Sequence, residues 1–315
     1  MPIVFLTNMP AEREARWREV LARALPEEEI IAGTDVETAG VPVEAFDVAI
    51  AANPEAEALA RFASLGFVQS LWAGVEQLVH NPALPPDAPL ARLVDPNMAR
   101  FMAEAVSAHV LALHRDHGHY ARAQEEGRWA PAPVTYARDR TVGFLGTGEL
   151  ARACMAQLAE LDFTLVGWSR TKREIEGVAT FAGDDGLAAM LARTDILVNL
   201  LPLTAETRGL IDADLLGRLG PGACLVNVAR GGHVVDADLL AALDDGRLRE
   251  AVLDVFHEEP LPADHPFWRH PRVHLFPHVA APTDPESAAR IAAANIRAFR
   301  TGGAIAGLVD RARGY

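Results

Sequence analysis

Two cysteines, Cys154 and Cys224, stand far apart in a chain of 315 residues, in no metal or redox spacing. That excludes a disulfide framework and points to a reducing, cytoplasmic setting. Lysine is scarcer still, since Lys172 is the only one. Cations as a whole are few, 29 Lys plus Arg against 43 Asp plus Glu, for a formal net charge of −14. Such a balance argues against nucleic-acid partners and anionic membranes, which need a basic face. It leaves room for a local cationic pocket around one anionic ligand. No apolar run reaches the ~18 residues that would cross a membrane. The first residues, Met1–Thr7, lack a basic region and a small-residue cleavage site, so they read as a strand and not a signal peptide. Repeats of solenoid period and low-complexity tracts are absent. His114, His117 and His119 offer no good third ligand, and a strand and Pro277 separate His270 and His274 from His278, so no metal site is expected.

Short apolar runs and helical patterns alternate along the chain. Half of the residues are hydrophobic, and at ~150 residues per domain the length suggests two domains, each with its own core. Strands are expected at Ile3–Thr7, Val48–Ala51, Phe67–Leu71 and Ala91–Val94. Helices fall at Glu12–Ala24 and Pro54–Ala63, with Pro54 in the first turn, where its missing N–H is no loss. A long helix runs from an Asn97 N-cap to about His117. A second series of strands follows at Thr141–Leu145, Thr164–Trp168, Ile196–Leu200, Cys224–Val228, Ala251–Val255 and Val273–Phe276. Between them lie helices at Glu149–Leu161, Asp184–Leu191, Asp212–Leu216 and Asp236–Asp245. The last helix, Pro285–Arg300, follows a capping box from Thr283 to Glu286. Alternation of this kind builds βαβ units and parallel sheets.

The first strand of the second series runs into Gly146-Thr147-Gly148-Glu149-Leu150-Ala151. This strand, glycine turn and helix fit the dinucleotide fingerprint G-x-G-x-x-A. Gly146 allows the tight turn, Gly148 lets a pyrophosphate approach the backbone, and Ala151 lets the helix pack on the strand. The phosphates would face the helix N-terminus. The next strand ends Trp168-Ser169-Arg170-Thr171-Lys172-Arg173. An NAD site expects a carboxylate there for the ribose 2′-hydroxyl. A hydroxyl and three cations stand in its place, the chemistry of a 2′-phosphate, so the expected cofactor is NADP(H).

Further chemistry gathers at later strand ends, where open α/β sheets bind ligands. Leu201-Pro202-Leu-Thr204-Ala-Glu-Thr207 is one segment and Asn227-Val-Ala229-Arg230-Gly231-Gly232 another. Asp254-Val-Phe-His-Glu258-Glu259-Pro260 and Phe276-Pro277-His278 complete the set. Arg, Glu and His converging there are the parts for reducing a keto acid: an anion clamp, a carboxylate and a proton donor.

With these segments in this order, the chain resembles the D-2-hydroxyacid dehydrogenase family along nearly its whole length, and within it the NADPH-dependent glyoxylate/hydroxypyruvate reductase branch. The resemblance implies an α/β fold of two Rossmann-like, parallel-sheet domains, one flavodoxin-like and one dinucleotide-binding, with a cleft between them. Residues 1–97 and 283–315 would form the discontinuous substrate-binding domain, and 98–282 the NADP-binding domain. Arg230 would bind the substrate carboxylate and carbonyl oxygen, His278 would act as general acid, and Glu259, with Glu258 as its rival, would hold His278 protonated. Thr207 would touch the cofactor phosphates and Asp254 the nicotinamide side. Leu201, Pro202 and Ala229 join Gly146–Leu150, Ser169, Arg170, Lys172 and Arg173 as cofactor contacts. The loop Trp72-Ala73-Gly74 would present backbone amides to the substrate carboxylate. The family dimerises around its long helix and the following arm, whose pattern Gln124, Gly127 and Trp129 resemble, so a homodimer is expected.

Two departures touch the substrate pocket. The branch's Trp-His before a proline is Ala52-Asn53-Pro54 here, and the family's Gly-Val-Asp turn is Gly74-Val75-Glu76. Trp72 could fill the volume so released. The rival readings are another D-2-hydroxyacid specificity and a non-catalytic NADP(H)-sensing protein of the same fold. An intact Arg230, Glu259 and His278 argue against the sensor, and loss of NADPH absorbance with glyoxylate separates the two.

Overall fold

The computed structural model describes residues 2–314. Among these residues twelve strands form two fully parallel sheets. They are β1 (Ile3–Thr7), β2 (Ile30–Ala32), β3 (Val48–Ala52), β4 (Phe67–Ser70), β5 (Leu90–Ala91), β6 (Thr141–Leu145), β7 (Thr164–Trp168), β8 (Ala179–Phe181), β9 (Ile196–Asn199), β10 (Ala223–Asn227), β11 (Leu248–Leu253) and β12 (Val273–Leu275). The chain divides into two compact units, one running to Asn97 and resuming at Thr283, the other Met98–Pro282.

The first unit carries the sheet β2-β1-β3-β4-β5. That is the flavodoxin-like order, with helices on both faces. Strands buried on both faces must be apolar throughout. Val48–Ala52 accordingly shows no exposed position. One core layer sets Val4, Leu6, Ala49, Ala51 and Val68 against Phe46, Leu59 and Phe62. The final helix, Pro285–Thr301, belongs to this unit; its Asn295 Nδ2 donates to buried Gln69 Oε1 at 2.8 Å, and Phe299 stacks on Phe67 with centroids 5.2 Å apart.

The second unit carries β12-β11-β10-β9-β6-β7-β8. Its order reverses between β6 and β9, the switch point where such sheets bind ligands. Period-two alternation sends Val142, Phe144, Ile196, Val198, Cys224 and Val226 to one face, against helices Pro96–His114 and Glu149–Ala159. Leu145, Leu197, Leu225 and Leu253 go to the other, against helices Gly183–Leu191, Ala213–Gly217 and Asp236–Asp244.

Several boundaries differ from the sequence reading. Pro54 lies outside its helix, which begins at Ala56 with Glu55 as N-cap. Asn97 is inside the long helix, because Pro96 already occupies the first turn, and Asp95 Oδ1 accepts from Asn97 N at 2.9 Å. That helix stops at His114, and a separate helix spans His117–Glu125. The last helix is capped by Asp284, which accepts from Glu286 N and Ser287 N, and not by Thr283. Among the described residues no helix is long and apolar enough to cross a membrane, and no group of three or more His, Cys, Asp or Glu could hold a metal ion.

Candidate active site

All seven strands of the second unit end on one edge, and the candidate site residues of this unit lie in loops leaving it or in the first turn of the helix that follows the glycine turn. β6 runs into the glycine turn. Gly146 takes φ +104°, and a Cβ there would lie 2.9 Å from the Leu200 carbonyl oxygen, so only glycine lets the exits of β6 and β9 meet. A Cβ on Gly148 would meet no atom within 4 Å, so the backbone is open to an approaching group at that point. Gly148 is the N-cap of helix Glu149–Ala159 and offers no side-chain cap, which leaves first-turn amides for an anion. Ala151 is buried against the sheet. A pyrophosphate fits this cradle.

Past β7, buried Thr147 donates from Oγ1 to Ser169 Oγ at 2.8 Å, and Ser169 Oγ donates to Thr171 O at 2.8 Å. These bonds shape the turn that presents Arg170, Lys172 and Arg173, all exposed. Arg170 lies close enough to the loop after β9 to affect Glu206. That carboxyl is held below its ordinary range by its bond with Thr204, by its own backbone and by the Arg170 charge. Within the same loop Thr207 Oγ1 donates to Pro202 O at 2.7 Å and accepts from Thr204 N at 2.8 Å. The Thr207 hydroxyl is thus engaged in shaping the loop.

Arg230 follows β10, Asp254 and Glu259 follow β11, and His278 follows β12. Glu259 Oε2 lies 2.7 Å from His278 Nδ1, and Glu259 Oε1 accepts from Phe256 N at 2.9 Å. Glu259, not Glu258, is therefore the partner of the histidine. Its hydrogen bond raises the His278 pKa, against burial and the nearby Arg230 charge. Burial alone would lift the Glu259 carboxyl, but the bonds with His278 and Phe256 N outweigh it and hold the group below its usual range. His278 sits at φ +54°, a left-handed conformation that costs strain in a residue with a side chain. Asp254 fixes it there. Its carbonyl accepts from His278 N at 2.8 Å, while Oδ1 and Oδ2 accept from Val279 N at 2.8 Å and Ala280 N at 3.0 Å. Burial pushes the Asp254 carboxyl up, against those two bonds. Both oxygens being engaged by backbone, Asp254 holds the His278 turn.

The sequence reading quoted Asn227 without a role of its own and passed over Asn199. Asn199 and Asn227, both fully buried, end β9 and β10 and meet at 3.0 Å, Asn199 Nδ2 donating to Asn227 Oδ1. Asn199 Oδ1 accepts from Leu201 N, and Asn227 Nδ2 donates to Arg230 O, so the pair fixes both loops. The available signal was an asparagine closing each of two otherwise apolar strands. In the first unit, the loop Trp72–Gly74 follows β4. Trp72 packs edge-on against Trp17 with centroids 6.0 Å apart, and Ser70 Oγ accepts from Trp72 N at 3.0 Å.

A glycine turn at the switch point and a carboxylate–imidazole pair beside an arginine define the class, a nucleotide-dependent oxidoreductase of the two-unit α/β type. Residues 107–280 match the family described as D-isomer specific 2-hydroxyacid dehydrogenase, NAD binding domain. The chain is 42% identical over 274 residues to glyoxylate/hydroxypyruvate reductase A of Yersinia enterocolitica, covering 85% of this chain and 88% of that one. A D-isomer specific 2-hydroxyacid dehydrogenase from Xanthobacter autotrophicus Py2, solved with NADPH and MES, superposes with TM-score 0.92 at 39% identity, over 100% of this chain and 99% of that one. The NADPH-dependent glyoxylate/hydroxypyruvate reductase of Sinorhizobium meliloti, solved with NADP and sulfate, gives 0.92 at 36% identity, again over 100% and 99%. The chain belongs to the D-isomer specific 2-hydroxyacid dehydrogenase family.

Proposed function

We propose that this protein reduces small 2-keto acids, glyoxylate and hydroxypyruvate among them, to 2-hydroxy acids with NADPH. The observation that carries the reading is the 2.7 Å contact between Glu259 and His278, beside Arg230 at the ligand-binding edge of a sheet whose glycine turn can seat a dinucleotide. NADPH, when bound, supplies the hydride. Residues 98–282 are its domain in this reading, with residues 1–97 and 283–315 the substrate-binding domain. Gly146–Leu150 would hold the pyrophosphate, Ser169, Arg170, Lys172 and Arg173 the 2′-phosphate, and Leu201, Pro202, Thr207, Ala229 and Asp254 would line the remainder.

Charge develops on the substrate's carbonyl oxygen as C2 is reduced. Arg230 offers a planar, permanently charged set of donors to that oxygen and to the neighbouring carboxylate. Glu259 occupies Nδ1 of His278, so the proton to be delivered is on Nε2. His278 is the general acid in reduction and, once neutral, the base in oxidation. For the first unit we propose a carboxylate-binding loop at Trp72, Ala73 and Gly74.

The reading extends to a cytoplasmic homodimer. Both thiols are free and buried, which suits a reducing compartment. Trp129, 97% exposed, lies on the stretch after helix His117–Glu125 with exposed Val134 and Tyr136, an apolar surface that a second copy could cover. The test is a screen of 2-keto acids by loss of NADPH and NADH absorbance. Turnover of glyoxylate or hydroxypyruvate with preference for NADPH is expected; binding of NADPH without turnover of any 2-keto acid would favour the sensor reading instead.

A further inference from the structure

His233 closes the short helix Gly231–His233, is fully buried, and stands one turn past Arg230. Its Nδ1 lies 3.1 Å from Arg230 O and its Nε2 3.2 Å from Pro202 O. Both neighbours are acceptors only. A neutral imidazole donates to one of them and an imidazolium to both; in either form the ring spans the gap between two loops. One loop carries the arginine. The other leaves β9 beside the glycine turn.

The two segments also share backbone bonds further along, Gly209 N to Gly232 O at 2.9 Å and Ile211 N to His233 O at 2.8 Å. At Pro202 the backbone has no N–H to offer. Its carbonyl is the handle on this stretch, gripped by Thr207 from within the loop and by His233 from outside it. On the far side Arg230 O also accepts from Asn227 Nδ2, Asn227 Oδ1 from Asn199 Nδ2, and Asn199 Oδ1 from Leu201 N. The bonds therefore close a ring, Leu201–Asn199–Asn227–Arg230–His233–Pro202, beneath both loops.

We propose that His233 is a positioning residue that ties the Pro202–Thr207 loop to the Arg230 segment, so that the contacts for cofactor and for keto acid are set together. The proposal rests on the function proposed above. It predicts that binding of both ligands depends on one side chain that touches neither.

The experiment separates the two ends of the ring. His233→Leu removes both contacts. His233→Asn places an amide near the Nδ1 position, within reach of Arg230 O but short of Pro202. His233→Gln extends an amide toward the Nε2 position and Pro202 O. Steady-state kinetics with glyoxylate, NADPH affinity and melting temperature are measured for all three. The leucine variant should show KM for glyoxylate and Kd for NADPH both raised, with kcat/KM down roughly 10-fold or more, the scale of one or two buried hydrogen bonds. Gln should recover most of that loss and Asn little. Recovery by Asn and not Gln would overturn the cross-loop tie, as would lower melting temperatures with unchanged KM and Kd. Should the wild-type chain reduce no 2-keto acid, the functional reading fails on that result alone. The tie is then decided by amide hydrogen exchange. Faster exchange at Leu203–Thr207 in His233→Leu supports it, and unchanged protection there overturns it.

Discussion

His278 is held by three neighbours with different tasks: Glu259 sets its charge, Asp254 its backbone, and Arg230 opposes its protonation. Its folded pKa is raised, so its contribution to stability is complete below the unfolded value of ~6.5 and is lost as pH rises through the folded one. Glu259 is depressed, so its contribution is present above ~4.3 and is lost as pH falls through its folded value. In the proposed mechanism reduction needs the imidazolium, so it should slow as pH rises through the His278 pKa, while oxidation of the hydroxy acid should show the opposite trend. His278→Asn should lose about 10²–10⁴-fold in kcat with NADPH affinity nearly unchanged; turnover near wild type would remove the general-acid assignment. In Glu259→Gln the main cause of the raised pKa is gone, so the pH profile of reduction should move to lower pH while more activity survives than in His278→Asn. At the cofactor's other end, Arg170→Asp should narrow or invert a preference for NADPH that two charged contacts would set at roughly 10²-fold, read from kcat/KM with both nucleotides. Arg230, Glu259 and His278 were legible because each follows an apolar run that predicts a strand end. Asn199 and His233 were not singled out, since a buried amide or imidazole shows its use only when the partner loop is known. The placement of Asp254 against the amides of residues 279 and 280 likewise depends on a turn that only the fold supplies.

Loops leaving a parallel sheet stay open or collapse according to the few backbone atoms that meet between them. Gly231 is the tightest such point. A Cβ built there would lie 1.9 Å from the Phe256 carbonyl carbon and 2.4 Å from His257 N. The backbone after Arg230 therefore presses against the turn that leads to Glu259, and that turn cannot yield as a flexible side chain would. Gly231→Ala should push the Phe256–Glu259 turn away and lengthen the Glu259–His278 contact. The expected outcome is a melting temperature lowered by overpacking worth about 1–3 kcal/mol, together with a pH profile shifted in the same direction as Glu259→Gln. A thermal melt and a pH–rate profile check both. The element boundaries show where a sequence is informative. Long apolar runs such as Thr141–Leu145 and Thr164–Trp168 fixed their strands to the residue. The edge strands β2 and β8, three residues each, have too little pattern to stand out from the loops around them. Helix starts moved because the capping side chain and the first-turn proline compete for neighbouring positions, as at Asp95-Pro96 and Asp284-Pro285.

The chain leaves its first unit at Asn97 and re-enters it at Thr283, so that unit is completed only when its last helix has been made. Helix Pro285–Thr301 supplies the partner of buried Gln69, the ring stacked on Phe67 and the hydroxyl of Ser287 that donates to Asp95. A chain ending at Pro282 should keep Met98–Pro282 folded and able to bind NADPH, with the preceding residues open to protease. Limited proteolysis checks this, and cleavage spread evenly over both parts would refute it. The free thiols fall on one side of this division. Cys154 and Cys224 both lie in Met98–Pro282, in the layer between the sheet and helices Pro96–His114 and Glu149–Ala159, and burial pushes both up to about 12. A thiolate is the reactive form, so neither sulfur should answer a water-soluble disulfide reagent while that layer is closed. The rate at which colour develops in such a reagent then becomes a clock for one layer of one unit, silent to anything the flavodoxin-like half does. Titrating denaturant against that rate should show whether NADPH slows the opening of the nucleotide-binding fold before any global melting signal moves.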